Sequence, residues 1–141
     1  RWFQRDSGMP DQIKGLLALL ESRTVPAGTV IFRQGEPSDS IELLVSGRVQ
    51  VLLELPGGRR VRLRSMLEQT VLGEMGFFRD LPRSATVIAD QPSRLLRVTR
   101  EAYGRMLAEA PEAAAVLHRM IITTLADRLH FANSEVAALK R

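Results

Sequence analysis

Glu74 and Arg83 are the two ionic residues whose types and spacing could do chemistry together. They stand towards the ends of residues 72–87, LGEMGFFRDLPRSATV. Arginine presents a rigid fork of donors that matches a phosphate in bidentate fashion, and it keeps its charge. An ionised carboxylate only accepts, which suits it to hydroxyl protons such as that of a sugar 2′-OH. Gly73 and Gly76 let the backbone approach a ligand and turn with positive φ. The segment EMGFF has the length of one short helical turn, whose free N–H groups could face an anion. Pro82 fixes the chain just before Arg83, and Ser84 adds a hydroxyl beside it. One small molecule carrying a phosphate and a ribose would satisfy all of these groups. A Glu74–Arg83 pair without ligand, or two solvated side chains, would account for the same residues.

The elements that must hold this loop are legible as a β-rich middle between helical ends. Residues 1–9, RWFQRDSGM, read as a linker or the tail of a preceding domain, with Trp2 and Phe3 expected to pack on something outside this sequence. PDQIKGLLALLES reads as a helix, with Pro10 in its first turn and Ile13, Leu16, Leu17 and Leu20 at helical spacing. From about residue 23 to 99 the chain is strand-like. TVIF follows a turn at residues 26–28, and IELLVSGRVQVLLEL is two apolar runs joined at Ser46–Gly47, a hairpin pattern. RRVRLRSM alternates Val61, Leu63 and Ser65 against Arg60, Arg62 and Arg64, which predicts a strand with one wet, arginine-bearing face. Short strands with turns every eight to twelve residues indicate a sandwich, barrel or roll. Thr99 is the predicted cap of a helix REAYGRMLAEA, and Pro111 starts a long one. In the long helix Val116, Leu117, Met120, Ile121, Leu125, Leu129, Ala132, Val136 and Leu139 form one apolar stripe. Its length, about 40 Å at 1.5 Å per residue, exceeds what the roll needs, so part of it is expected to lie against a second chain.

Composition removes several classes of chemistry. The chain has 141 residues and no cysteine, which excludes disulfides, thiolate metal sites and a cysteine nucleophile. His118 and His130 are the only histidines, and neither spacing nor location suits a metal or a cupin-like site. There is no Walker-type glycine–lysine signature, and the reading is not an enzyme. The net charge of +4 comes from arginines scattered from Arg1 to Arg141 among acids, which describes a mixed surface rather than a nucleic-acid face. No apolar run approaches the ~20 residues of a membrane span.

GEMGFFRDLPRSATV resembles the phosphate-binding cassette of the cyclic nucleotide-binding domain family. Gly73, Glu74, Met75, Gly76, Phe77, Phe78, Pro82, Arg83, Ser84, Ala85, Thr86 and Val87 all fit that cassette. Upstream, PAGTVIFRQGEPSDSIELLVSGRVQV is similar to the family's first strands, with Gly28, Gly35 and Gly47 at its turn glycines. The resemblance implies an α+β, mainly β fold: an eight-stranded antiparallel β-roll flanked by an N-terminal helix and C-terminal helices, spanning residues 10–141, with the helices at about 100–139. It implies cAMP or cGMP as ligand and no further cofactor or metal. Carried over, Glu74 takes the ribose hydroxyl, Arg83 the cyclic phosphate and Ser84 the phosphate or base. Gly73, Met75, Gly76 and Ala85 offer backbone groups to the ligand. The C-terminal helix closes over the base in this family, which makes Thr123 and Thr124 candidates, with Arg128 one turn further on.

The resemblance also implies partners. Family members of the catabolite activator type carry a helix-turn-helix after the long helix. The sequence stops at Arg141, so no specific DNA binding by these residues is expected, and the effector is expected upstream. Residues 52–78 and the ending LADRLHFANSEVAAL look similar to the domain at the C-terminus of some bacterial SulP-type anion transporters, behind their STAS domain. The implied setting is the cytoplasmic part of an inner-membrane protein, with a homodimer through the C-terminal helix. A ligand-free interaction module with the same roll is the alternative.

Overall fold

The computed structural model describes residue 2 and residues 9–139. Helix α1 (Met9–Leu17) leads into strands β1 (Glu21–Val25), β2 (Val30–Phe32), β3 (Ser40–Ser46), β4 (Arg48–Glu54), β5 (Arg60–Leu67) and β6 (Thr70–Leu72). The short helix α2 (Glu74–Arg79) follows, then β7 (Thr86–Ala89), β8 (Ser93–Thr99), α3 (Arg100–Glu109) and α4 (Pro111–Leu139). The strands form two antiparallel four-stranded sheets, ordered β1-β8-β3-β6 and β2-β7-β4-β5. This is the mainly β roll with flanking helices that the resemblance implied. Thr99 caps α3 as expected, its Oγ1 accepting from the Ala102 N–H at 3.1 Å.

The hairpin expected at Ser46–Gly47 does not form. β3 and β4 belong to different sheets, so the chain crosses from one layer to the other at Gly47. Gly47 has φ +105, and a Cβ there would sit 2.2 Å from Ser93 Oγ and 2.7 Å from the Pro92 carbonyl. The crossing follows from burial. Ile41 and Leu43 face the helices while Leu44, next on the strand, faces between the sheets, so β3 is covered on both sides and must be central.

Two apolar clusters result. One lies between the β1-β8-β3-β6 sheet and the helices, built from Ile13, Leu16, Ile41, Leu43, Leu96, Val98 and the first half of α4. The other fills the roll between the sheets around Phe32, Leu44, Val49, Val51 and Leu95. Trp2 corrects an expectation: it is 1% exposed within the first cluster, and its backbone N–H donates to Gln69 Oε1 at 2.8 Å. It packs on this domain rather than on something outside it. Phe3 lies outside the described residues.

The apolar stripe of α4 divides. Val116, Leu117, Met120 and Ile121 are buried, and Leu125 packs partly against them. Leu129, Val136 and Leu139 are exposed, as are Ile122 and Phe131. The proximal half belongs to the core, and the distal half has no cover among the described residues.

A buried carboxylate interrupts the run of β3 that reads as apolar in the sequence. Glu42 is fully buried, and its Oε1 accepts from Arg23 Nη2 on β1 and Arg97 Nε on β8, each at 2.9 Å. Its Oε2 has no hydrogen-bond partner among the described residues. Breaking such a pair from one side costs about 3 kcal/mol, because charge is left unmatched. Glu42→Ala is therefore expected to lower unfolding free energy by about that amount in urea. A loss below about 0.5 kcal/mol would mean the two arginines simply rehydrate.

Strand β5 also departs from its expected facing. Cross-strand partners share a face of the sheet. Arg64 pairs with Val51, and Met66 with Val49, both valines being buried between the sheets. A register shift between Val51 and Leu52 reverses the alternation beyond that point. Arg64 thus stands on the inner face, while Val61 and Leu63 are nearly half exposed.

Candidate functional site

Residues 72–87 fold around a cavity of about 240 Å³. Gly73, at φ +82, turns the chain from β6 into α2. A Cβ on Gly73 would lie 2.3 Å from Arg83 Nη1 and 2.8 Å from the Phe32 ring, so glycine is what allows backbone, guanidinium and ring to converge. Gly76 is equally enclosed, with Ser38 Oγ 2.1 Å and the Leu81 carbonyl 2.8 Å from where its Cβ would be.

Arg83 is held from both main chain and side chain. Its N–H donates to the Glu36 carbonyl and its carbonyl accepts from the Gly35 N–H, both at 2.8 Å, which locks it to the turn after β2. Its guanidinium lies 3.6 Å from the centroid of Phe32, donates from Nη1 to the Gly73 carbonyl at 3.1 Å, and from Nη2 to the Ser40 carbonyl at 2.7 Å. Burial pulls its pKa down, opposed by the carboxylates of Glu42, Asp39 and Glu36. A guanidinium starts so high that it stays charged regardless. An arginine has five N–H donors, so donors remain for an anion in the cavity that Arg83 lines.

Glu74 opens α2 and is 4% exposed. Among the described residues it pairs with Arg128 and not with Arg83. Its Oε1 accepts from Arg128 Nη1 at 2.6 Å. The same guanidinium donates through Nη2 to Thr70 Oγ1 at 2.8 Å and to the Val71 carbonyl. One side chain of α4 thereby ties the helix to β6 and to the cassette.

Gly73, Glu74, Met75, Gly76, Arg83, Ser84 and Ala85 all line the one cavity, together with Arg128. Thr123 and Thr124 do not. Thr123 is exposed, and Thr124 is buried with its hydroxyl donated to the Met120 carbonyl one turn back. Thr123 points off the packed face, and Thr124 shares a face with Arg128 but lies one turn short of β6, which Arg128 reaches. Sequence reasoning missed Arg64, Leu63 and Met66 of β5, which also border the cavity. The bulge hid Arg64, because simple alternation puts it on the wet face. Three guanidiniums and one carboxylate meet the cavity, an excess of positive charge that suits an anion.

Comparisons with known proteins place the fold and the family. The profile of the cyclic nucleotide-binding domain matches residues 22–110. A CRP-like cAMP-activated global transcriptional regulator of Mycobacterium tuberculosis is 30% identical over 92% of this chain and 56% of its own length. Glutaminase 1 of Bradyrhizobium diazoefficiens is 33% identical over 92% of this chain and 20% of its own length. The chain thus spans about half the length of that regulator and a smaller share of the glutaminase. Among solved structures, the Thermus thermophilus catabolite activator protein superposes with a TM-score of 0.68 at 29% identity, covering 93% of this chain and 60% of that one. A cyclic nucleotide-binding domain from Methylobacillus flagellatus shares the fold, with a TM-score of 0.77 at 20% identity over 92% of this chain and 72% of that one. With its cassette, its roll and these relatives, the chain belongs to the cyclic nucleotide-binding domain family.

Proposed function

We propose that this domain is a sensor whose occupancy by cAMP or cGMP is read by α4 and passed to an attached effector. The observation that carries the reading is the Arg128–Glu74 ion pair at 2.6 Å in the wall of the cavity. In this reading the cyclic phosphate takes the remaining donors of Arg83, with Ser84 beside it. The ribose hydroxyl is accepted by Glu74, the carboxylate that Arg128 already holds. Ligand and helix therefore compete for, or share, one buried acceptor. A ligand shifts an equilibrium only by its differential affinity for the two states, and this shared carboxylate supplies that difference. The break between α3 and α4, where Ala110 leaves helical geometry, is the hinge.

Relatives carry the domain beside different partners, among them a transcriptional regulator, a glutaminase and a potassium channel protein of Rhodopseudomonas palustris. The likeness of residues 52–78 and of the chain ending to SulP-type transporter domains supports an anion transporter, with this domain on its cytoplasmic side. The exposed distal residues Ile122, Leu129, Ala132, Val136 and Leu139, with the half-covered Leu125 between them, repeat every three and four residues, which supports pairing with a second copy as a coiled coil.

A second reading has an observation in its favour. Both anchors are satisfied internally, Arg83 by Ser40 and Gly73 and Glu74 by Arg128, as they would be in a roll kept only for assembly. Calorimetric titration with cAMP and cGMP separates the two: heat and a saturable isotherm support the sensor, and none at millimolar nucleotide supports the module. Arg128→Ala tests the coupling. Amide exchange across residues 124–139 is expected to speed up about tenfold, equivalent to ~1.4 kcal/mol, and to stop responding to ligand. A ligand response that persists unchanged in this variant would remove Arg128 from the coupling.

A further inference from the structure

We propose that Arg64 reads the base of the bound nucleotide and makes the site prefer guanine to adenine. The inference rests on the sensor reading above. Its geometry comes from strand register. Phe32 of β2 pairs with Val87 of β7, Val87 with Val51 of β4, and Val51 with Arg64 of β5. Directly opposed residues share a face, and all four line the cavity, so they form one row across its floor. The Arg83 guanidinium stacks on Phe32, which fixes the anion-binding end of the row at β2. Arg64 stands at the other end, three strand spacings or about 14 Å away along the row. A nucleotide anchored by its phosphate at Arg83, with its ribose at Glu74, extends its base over the valines towards β5.

Arg64 is also the arginine of this cavity with no internal use. Its side chain makes no hydrogen bond, ion pair or ring contact with the described residues, whereas Arg83 and Arg128 both donate to protein acceptors. Its inner-face neighbours, Val51 and Met66, offer it nothing polar. A purine supplies what is missing, and the two purines differ at that edge. Guanine presents O6 and N7, two adjacent acceptors that a guanidinium fork can grip in bidentate fashion. Adenine presents N7 beside the N6 amino group, a donor facing a donor. The same edge is present in cyclic nucleotides.

The test is calorimetric titration of the wild type, Arg64→Ala and Arg64→Lys with cGMP, cAMP and cIMP. Arg64 is exposed on an edge strand, so both variants are expected to fold. The wild type is expected to bind cGMP at least tenfold tighter than cAMP. The inosine nucleotide, which keeps O6 and N7 but lacks the 2-amino group, should bind within threefold of cGMP. Arg64→Ala should bring the cGMP to cAMP ratio within threefold, chiefly by weakening cGMP. Arg64→Lys, which keeps the charge but not the fork, should lose most of the preference. Equal or adenine-favouring binding by the wild type overturns the proposal. So does a preference that survives either substitution, or a cIMP affinity that falls to that of cAMP. Failure of the sensor reading looks different: none of the three nucleotides binds any variant, and the assignment to Arg64 falls with it.

Discussion

Arg83→Leu is expected to weaken cyclic-nucleotide binding by about a hundredfold. Charge-assisted hydrogen bonds contribute roughly 1.5–3 kcal/mol each, and a forked grip on a phosphate makes two. Losing about 3 kcal/mol corresponds to ~100-fold in dissociation constant. The substitution also acts on the fold. The Ser40 and Gly73 carbonyls lose the donors that now reach them, and the Phe32 ring loses its cationic cover. A buried acceptor left without a partner costs about 1–3 kcal/mol, so the variant should also unfold more easily. Arg83→Lys separates the two effects. It keeps the charge and one contact but cannot reproduce the fork, so affinity should fall by roughly tenfold. Calorimetry for affinity and urea unfolding for stability are read on the same samples. A leucine variant that is folded and binds within twofold of the wild type would place the phosphate somewhere other than Arg83.

The cassette was legible in the sequence because its chemistry is contiguous. Gly73, Glu74, Gly76, Arg83, Ser84 and Ala85 lie within thirteen positions, and the turn that brings them together is local. Thr99 and Pro111 were legible for the same reason, as caps and starts act within one helical turn. What was hidden depends on long-range register. Glu42 sits in a run that reads as an apolar strand, and only the pairing of β3 with β8 and of β8 with β1 brings Arg97 and Arg23 to it. The crossing at Gly47 looks like a hairpin because the two strands adjoin in sequence, yet each finds partners elsewhere. Strand β1 itself, ESRTV, carries charges that face the buried Glu42 side, so alternation gave it no apolar face to show. Thr123 and Thr124 stood ahead of Arg128, which borders the cavity one turn further on, since position along a 29-residue helix cannot be read without the sheet it crosses. Arg64 is exposed, as its place in the arginine pattern predicts, but a bulge turns it onto the face that borders the cavity.

Gly73→Ala is expected to cost more stability than any other single-methyl addition in the cassette turn, and a matched control isolates the reason. Gly73 and Gly57 have the same φ, +82, so an alanine at either carries the same order of left-handed backbone strain, about 1 kcal/mol. At Gly57 the added Cβ meets nothing within 4 Å. At Gly73 it would meet Arg83 Nη1 at 2.3 Å and Phe32 at 2.8 Å. Neither neighbour can easily give way, because the guanidinium is pinned between the ring and the Ser40 carbonyl. Overpacking of this kind costs typically 1–3 kcal/mol beyond the strain, so Gly73→Ala should lose about 3 kcal/mol in urea unfolding and Gly57→Ala about 1. Nucleotide affinity should follow the same division. Gly57→Ala lies in the turn between β4 and β5, away from Arg83, and should bind within threefold of the wild type. Gly73→Ala displaces the arginine proposed to hold the phosphate and should bind at least tenfold more weakly. Equal losses of stability in the two variants would mean that the close approach of backbone, guanidinium and ring at Gly73 carries no energetic weight. The glycine would then be required by φ alone.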